Sequence, residues 1–252
     1  MNAIVIKNKI AIEKMRMAGK LLAEVMQEVG ILVKEGISTY ELDQIIERKM
    51  VERGLKPECK GYAGYRHSSC ISLNDVIVHG VPTKEIILKS EDFVKIDIVG
   101  SYKGYCADMA RCFFVGNASP TAKKMADVAQ QSLDNGISLI RPGVRLSDIS
   151  ASIQRDVEQA GFGVVRDFAG HGIGKNMHEA PDVPNFGKAG RGPILQEGMT
   201  LAIEPMITEK DYAVKIMADG WTAKTVDGGL AAHVEDTIVV VRDGAEILTR
   251  IL

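Results

Sequence analysis

Four acidic side chains stand where acids are costly. Asp97 lies within Phe93-Val94-Lys95-Ile96-Asp97-Ile98-Val99, and Asp108 within a second strand-like run from Tyr105 to Val115. Glu204 follows Leu201-Ala202-Ile203, and Glu235 sits between His233-Val234 and Thr237-Ile238-Val239-Val240-Val241. A buried, unpaired carboxylate costs several kcal/mol, against a total domain stability of about 5–15 kcal/mol. Arg111 and Lys215 are candidates for neutralising ion pairs, yet basic residues are scarce in these strands. Two divalent cations would satisfy four carboxylates in both charge and ligand demand. A turn centred on Tyr102-Lys103 sets Asp97 directly opposite Asp108 in a hairpin. Facing like charges destabilise a sheet, so something positive should lie between them.

Histidines supply the second signal. Three of the five fall in glycine-flanked contexts: His79 before Gly80, His171 between Gly170 and Gly172, and His178 at the end of Gly172-Ile173-Gly174-Lys175-Asn176-Met177-His178. Taken singly, each is more often a packed or solvated side chain than a ligand. The seven-residue gap from His171 to His178 does not match the helical spacing of zinc proteases, and Gly170–Lys175 lacks phosphate-loop spacing. Glycine on both sides of His171 suits a loop that brings backbone close to a ligand.

The elements that must position these groups occur twice. Gly36-Ile37-Ser38-Thr39-Tyr40-Glu41-Leu42 opens a segment closing at Gly54, and Gly143-Val144-Arg145-Leu146-Ser147-Asp148-Ile149 opens one closing at Gly161, a fixed shift (143 − 36 = 107). That shift matches Ile46 with Ile153, Arg48 with Arg155 and Met50 with Val157. Both segments have the apolar spacing of amphipathic helices, and Ser38 with Glu41 forms a capping box. A helical pattern precedes each: Met15, Leu22, Val25, Met26 and Val29 before the first, and Met125, Val128, Leu133 and Ile137 after a Ser119-Pro120 start before the second. The same shift lays Asp97 on Glu204. Helices alone would be weak evidence of repetition; two misplaced acids in register make it strong. The expectation is two pseudo-symmetric α-α-β halves, roughly 10–117 and 118–252, in a single catalytic domain with the site on the axis between them.

Bulk properties fit this picture. The 252 residues, 46% hydrophobic and 25% charged, can bury a real core, and a net charge of -2 gives no sign of a nucleic-acid or membrane partner. No stretch reads as a signal peptide or a bilayer span. Cys59, Cys70, Cys106 and Cys112 have no CxxC spacing, consistent with reduced thiols in a cytoplasmic protein.

In order along the chain, Ser72–Pro82 with His79, Lys95-Ile96-Asp97, Asp108, Gly170-His171-Gly172-Ile173-Gly174, His178-Glu179, Ile203-Glu204-Pro205-Met206 and Val234-Glu235-Asp236-Thr237-Ile238 resemble the type I methionine aminopeptidases. The resemblance implies the α/β pita-bread fold, with two pseudo-symmetric halves around a central antiparallel sheet. It implies two divalent metal ions (cobalt, manganese, iron(II) or zinc) held by Asp97, Asp108, His171, Glu204 and Glu235. Asp97 and Asp108 would serve one ion, His171 and Glu204 the other, with Asp97, Asp108 and Glu235 shared or bidentate. It further implies catalytic roles for Glu204 as proton acceptor, His178 as donor to the scissile carbonyl and His79 at the leaving amine. A methionine pocket would be lined by Cys59, Tyr62, Tyr65, Cys70, Met177 and Trp221, beside His79 and His178. The implied substrate is the N-terminus of a peptide or nascent polypeptide. The implied setting is a monomeric cytoplasmic enzyme in transient ribosome contact, of the short form without an N-terminal extension.

Three positions depart from the type I pattern: Met177 replaces an aromatic residue, His233 a glutamine and Asp236 a histidine. His233-Val234-Glu235-Asp236 leans toward the prolidase and aminopeptidase P branch, which bears on substrate preference. An Xaa-Pro-cleaving metallopeptidase of the same fold and a non-catalytic peptide-binding relative are the alternatives.

Overall fold

The computed structural model describes residues 3–251. Four helices flank a curved antiparallel sheet. They are α1 (Lys9–Gly30), α2 (Thr39–Glu52), α3 (Pro120–Ser138) and α4 (Leu146–Gln159). Their ends follow from local chemistry. Asn8 accepts the Ala11 amide to start α1, and Ser119 accepts that of Ala122 to start α3, where Pro120 occupies the first turn. Ser38 and Glu41 form the expected capping box on α2. The predicted apolar positions of α1 are all buried; on α3 Met125, Leu133 and Ile137 are buried and Val128 is half-buried. None of the helices is long and apolar enough to cross a membrane.

The 107-residue repeat is present in the backbone. α2 and α4 share identical lengths and offsets, and each is closed from behind by the same two hydrogen bonds. Gly36 N–H donates to Leu88 O and Leu88 N–H to Ile37 O; Gly143 N–H donates to Leu195 O and Leu195 N–H to Val144 O. Each helix pair covers its own apolar cluster. One is built around Leu22, Leu42, Ile46, Ile96 and Ile98, the other around Met125, Leu133, Ile149, Ile153 and Leu201.

Between the layers runs the sheet. A ten-by-ten hairpin, Phe93–Tyr102 with Tyr105–Phe114, belongs to the first half. In the second half Thr200–Ile203 pairs with Glu235–Val241. The halves join where Glu235–Val241 meets Tyr105–Phe114, through Glu235↔Ala110 and Asp236↔Met109. Thr237 seals this seam: its hydroxyl accepts from the Asp108 amide and donates to the Asp108 carbonyl. On the outer flanks Cys70–Leu73 pairs with the first hairpin, and Gly170–Gly172 with Thr200–Ile203.

The hairpin register corrects one expectation. The turn centres on Lys103-Gly104, both at positive φ (49° and 78°), not on Tyr102-Lys103. Asp97 therefore faces Ala110, and Asp108 faces Val99. The two acids are diagonal neighbours on one sheet face, which eases direct opposition yet keeps them within reach of a common cation. His171 is likewise on a short strand, not a loop. Its flanking glycines admit backbone, since a Cβ at Gly170 would lie 2.4 Å from Ala202 O and one at Gly172 2.2 Å from Ala180 O.

Candidate metal centre and substrate pocket

Asp97, Asp108 and Glu235 from strands, and Glu204 from the break just after Thr200–Ile203, converge on one point of the sheet, with His171 and His233 beside them. His171 Nε2 is 3.7 Å from Asp108 Oδ2 and 3.7 Å from Glu204 Oε1. His233 Nε2 is 3.4 Å from Glu204 Oε2 and 4.0 Å from Glu235 Oε2. Among the described residues, two sets of donor atoms are close enough for a single ion, Asp108–His171–Glu235 and Glu204–His233–Glu235, with Glu235 common to both.

No lysine or arginine among the described residues is within ion-pair distance of these four acids. Arg111 instead pairs with Asp236 at 2.6 Å, Lys215 is exposed on an outlying strand, and Lys95, buried beneath the hairpin, donates to Asn74 O at 3.0 Å. Asp97 Oδ1, Asp108 Oδ1, Glu235 Oε1 and His233 Nε2 are buried with no hydrogen-bond partner. Burial raises the pKa of Glu204 to about 8. Asp108 is raised by burial and by the charges of Asp97 and Glu204, and Glu235 by burial and by Asp108 and Glu204. Burial pulls His171 and His233 down to about 4, so both imidazoles are neutral. His171 Nδ1–H donates to Gly172 O at 2.9 Å, which leaves the Nε2 lone pair for the cluster. Neutral nitrogens, clustered oxygens and orphaned buried acceptors are what a divalent cation requires, so the residues fit a metal centre.

A cavity of about 120 Å³ opens from this cluster. Its walls are Cys59, Tyr62, Tyr65, Cys70, Met177 and Trp221, and His79 and His178 border it, so the structure brings together every pocket residue expected from the sequence. The size suits one side chain, being well below the about 300–1,000 Å³ of drug-sized sites. Tyr65 and Trp221 meet edge-to-face at 5.0 Å. All four cysteines are free, and a hydrogen bond to Cys70 together with burial keeps the Cys59 thiol protonated. Met177 is a buried wall of the cavity and completes it without an aromatic ring.

His178 stands at the rim, its ring perpendicular to that of His171 with centroids 4.3 Å apart. Its Nδ1 is 2.9 Å from the Tyr62 hydroxyl. Burial lowers its pKa, so the ring is neutral, and a tyrosine O–H donated to Nδ1 leaves Nε2–H as a donor. His79, at φ 58°, packs against Phe168 with centroids 5.3 Å apart. Both line a second, larger cavity of about 930 Å³ that continues past His171 and Glu204 to Ile4, Phe168, Pro181, Pro193 and Met206.

Sequence patterns had not singled out the supports of the site. Asp43, fully buried in α2, accepts from the Ser68 and Ser69 amides and the Ser69 hydroxyl, and lies 3.1 Å from His67 Nδ1. It ties down the loop carrying Tyr62 and Tyr65. Lys7, almost fully buried, pairs with Glu179 at 2.7 Å and fixes the segment after His178. Spacing holds no signal for either, because each depends on a partner remote in sequence. Asp236 lies outside the site. It neighbours Glu235 on a strand, so it points to the opposite face, where it binds Arg111, Arg250 and the Thr249 hydroxyl.

The profile of metallopeptidase family M24 matches residues 13–242. The methionine aminopeptidase of Clostridium perfringens is 47% identical over 248 residues, covering 98% of this chain and 99% of that protein. The crystal structure of the Thermotoga maritima methionine aminopeptidase superposes with a TM-score of 0.97 at 42% identity, covering 99% of this chain and 100% of the other. The prolidase of Pyrococcus furiosus shares the fold at a TM-score of 0.79 and 20% identity, with this chain spanning 66% of it.

Proposed function

The chain belongs to metallopeptidase family M24, and from that premise we propose that it removes the N-terminal methionine from peptides and nascent proteins whose second residue is small. One observation carries this: a small, single-side-chain pocket lined on one side by a cluster of carboxylates with no basic partner. A side chain held there puts its own α-amino group, and therefore the first peptide bond, beside the acids. That makes an exopeptidase. Sulfur and aromatic walls favour an unbranched thioether over branched side chains.

Asp97, Asp108, His171, Glu204 and Glu235 would hold two divalent ions, for which cobalt, manganese, iron(II) and zinc all suit oxygen donors with imidazole. When bound, such ions polarise the scissile carbonyl and lower the pKa of water near pH 7. The remaining work falls to the chain. Glu204, made more basic by burial and ionised once a cation is held beside it, would accept the proton of the attacking water and pass it on. His178, with Nε2–H freed by Tyr62, donates to the carbonyl oxygen as charge develops. His79, wedged against Phe168, contacts the amide nitrogen that becomes the leaving amine, and the pair crowds the space for the second residue. The two halves act as one catalytic unit, on polypeptide N-termini emerging in the cytoplasm, as a monomer with transient ribosome contact.

The test is a reconstitution screen with each metal on a Met-Ala-Ser peptide beside an Xaa-Pro peptide, with Asp97→Ala as control. Cleavage of the methionyl peptide, lost in Asp97→Ala, is expected. Faster Xaa-Pro cleavage would transfer the protein to the prolidase branch, and inertness of every metal-loaded form would leave it a peptide binder.

A further inference from the structure

We propose that His233 is a sixth side-chain ligand of the metal centre, its Nε2 binding the ion that also meets Glu204 and Glu235. The inference rests on the two-ion reading above and adds a donor to it. Three independent observations carry it.

The first is position. Asp108 faces Val99 in the first hairpin, and His233 faces Met206, which lies 107 residues beyond Val99. Asp97 and Glu204 are separated by the same interval. His233 therefore stands to Glu204 as Asp108 stands to Asp97. The fold aims both side chains at one centre, and the second half has imidazole where the first has carboxylate.

The second is spacing. His233 Nε2 lies 3.4 Å from Glu204 and 4.0 Å from Glu235, while His171 Nε2 lies 3.7 Å from both Asp108 and Glu204. Charge-assisted hydrogen bonds are shorter, about 2.7–2.9 Å. Donors each about 2.1 Å from one cation stand roughly 3–3.6 Å apart. Glu204 thus offers one oxygen toward each imidazole, at spacings close to those of shared coordination.

The third is the orphaned atom. His233 is 1% exposed and its Nε2 has no hydrogen-bond partner. A buried polar atom left unpaired in front of two carboxylates is costly unless something positive fills the gap. A neutral imidazole supplies that donor without altering the balance of four carboxylates against two divalent ions.

The experiment titrates metal-free protein with Co(II) by calorimetry, then counts imidazoles per ion pair from X-ray absorption at the cobalt edge. The parent should bind two ions carrying two imidazoles. His233→Gln should bind the first ion as before, lose about 10–100-fold in affinity for the second, and show one imidazole. His171→Gln should likewise retain one. Two ions with a single imidazole in the parent would overturn the inference and leave the two-ion reading intact. Fewer than two ions in the parent would overturn both, and the stoichiometry tells these outcomes apart. Should His233→Gln fail to fold, judged by far-ultraviolet circular dichroism, the imidazole count of the parent decides alone.

Discussion

The two halves of the molecule share a skeleton and differ in what it carries. α2 and α4 span the same fourteen positions at one interval, and each half aims a diagonal pair of polar side chains at the centre. The first half contributes Asp97 and Asp108, and most of the walls of the small cavity through Cys59, Tyr62, Tyr65 and Cys70. The second contributes Glu204 and Glu235 with three of the site's four histidines, His171, His178 and His233. Backbone symmetry settles where side chains point; divergence settles what they do. On the mechanism proposed above, one half would grip the side chain and the other would supply most of the groups that move protons.

That division predicts unequal consequences for substitutions at matched places. The largest is expected in the second half: Glu204→Gln lowers kcat about 10²–10⁴-fold with little change in KM, measured by steady-state kinetics of the cobalt enzyme. The same variant should raise the denaturation midpoint of the metal-free protein, because it replaces an acid whose charged form the fold disfavours. Equal losses of kcat from a pocket variant such as Cys70→Ala would break the division.

Next comes the seam between the halves. Asp236→Ala should cost about 3 kcal/mol in urea denaturation, the low end of the range for a broken buried pair because Arg111 and Arg250 remain partly exposed. The kcat of the metal-loaded variant should be nearly unchanged, since Asp236 faces away from the site. A large fall in kcat with stability intact would return Asp236 to the catalytic side.

The metal-free centre should also make stability depend on pH. Acids with raised folded pKa values contribute most below their unfolded values, and that contribution is lost as pH rises through the folded ones. Histidines with lowered values act the other way, below their ordinary 6.5. Between pH 6.5 and about 8 the raised acids, with Glu204 at about 8, outweigh the opposing contribution of Lys95, whose pKa burial pulls down to about 7. The thermal midpoint of chelated protein should fall across that interval, and saturating Co(II) should flatten the slope.

The smallest effect crosses the halves. Tyr62→Phe removes a hydroxyl from the first half that orients His178 of the second. A hydrogen bond worth about 1 kcal/mol corresponds to about fivefold in kcat. A change in KM alone would assign Tyr62 wholly to the pocket.

Much of this was legible in the sequence, and the limits are instructive. An acid inside a hydrophobic strand is visible without coordinates, because its cost demands an explanation, and repetition at 107 residues paired Asp97 with Glu204. Facing direction was less visible. The hairpin register hung on which two residues accept left-handed backbone, and Lys103-Gly104 does so in place of Tyr102-Lys103. Glu235 and Asp236 are adjacent letters on opposite faces of a sheet. Asp43 and Lys7 were silent, because their meaning lies in the Ser68-Ser69 amides and in Glu179.

The crowding of acids without a basic neighbour has a consequence for how the protein matures. A chain that folds before meeting metal does so with hydrogen ions favoured as placeholders: Glu204 holds one up to about pH 8, and burial and mutual repulsion push Asp108 and Glu235 the same way. Incoming cations must evict them. Loading is therefore an exchange, and it should acidify a weakly buffered solution and run harder as the medium becomes more alkaline.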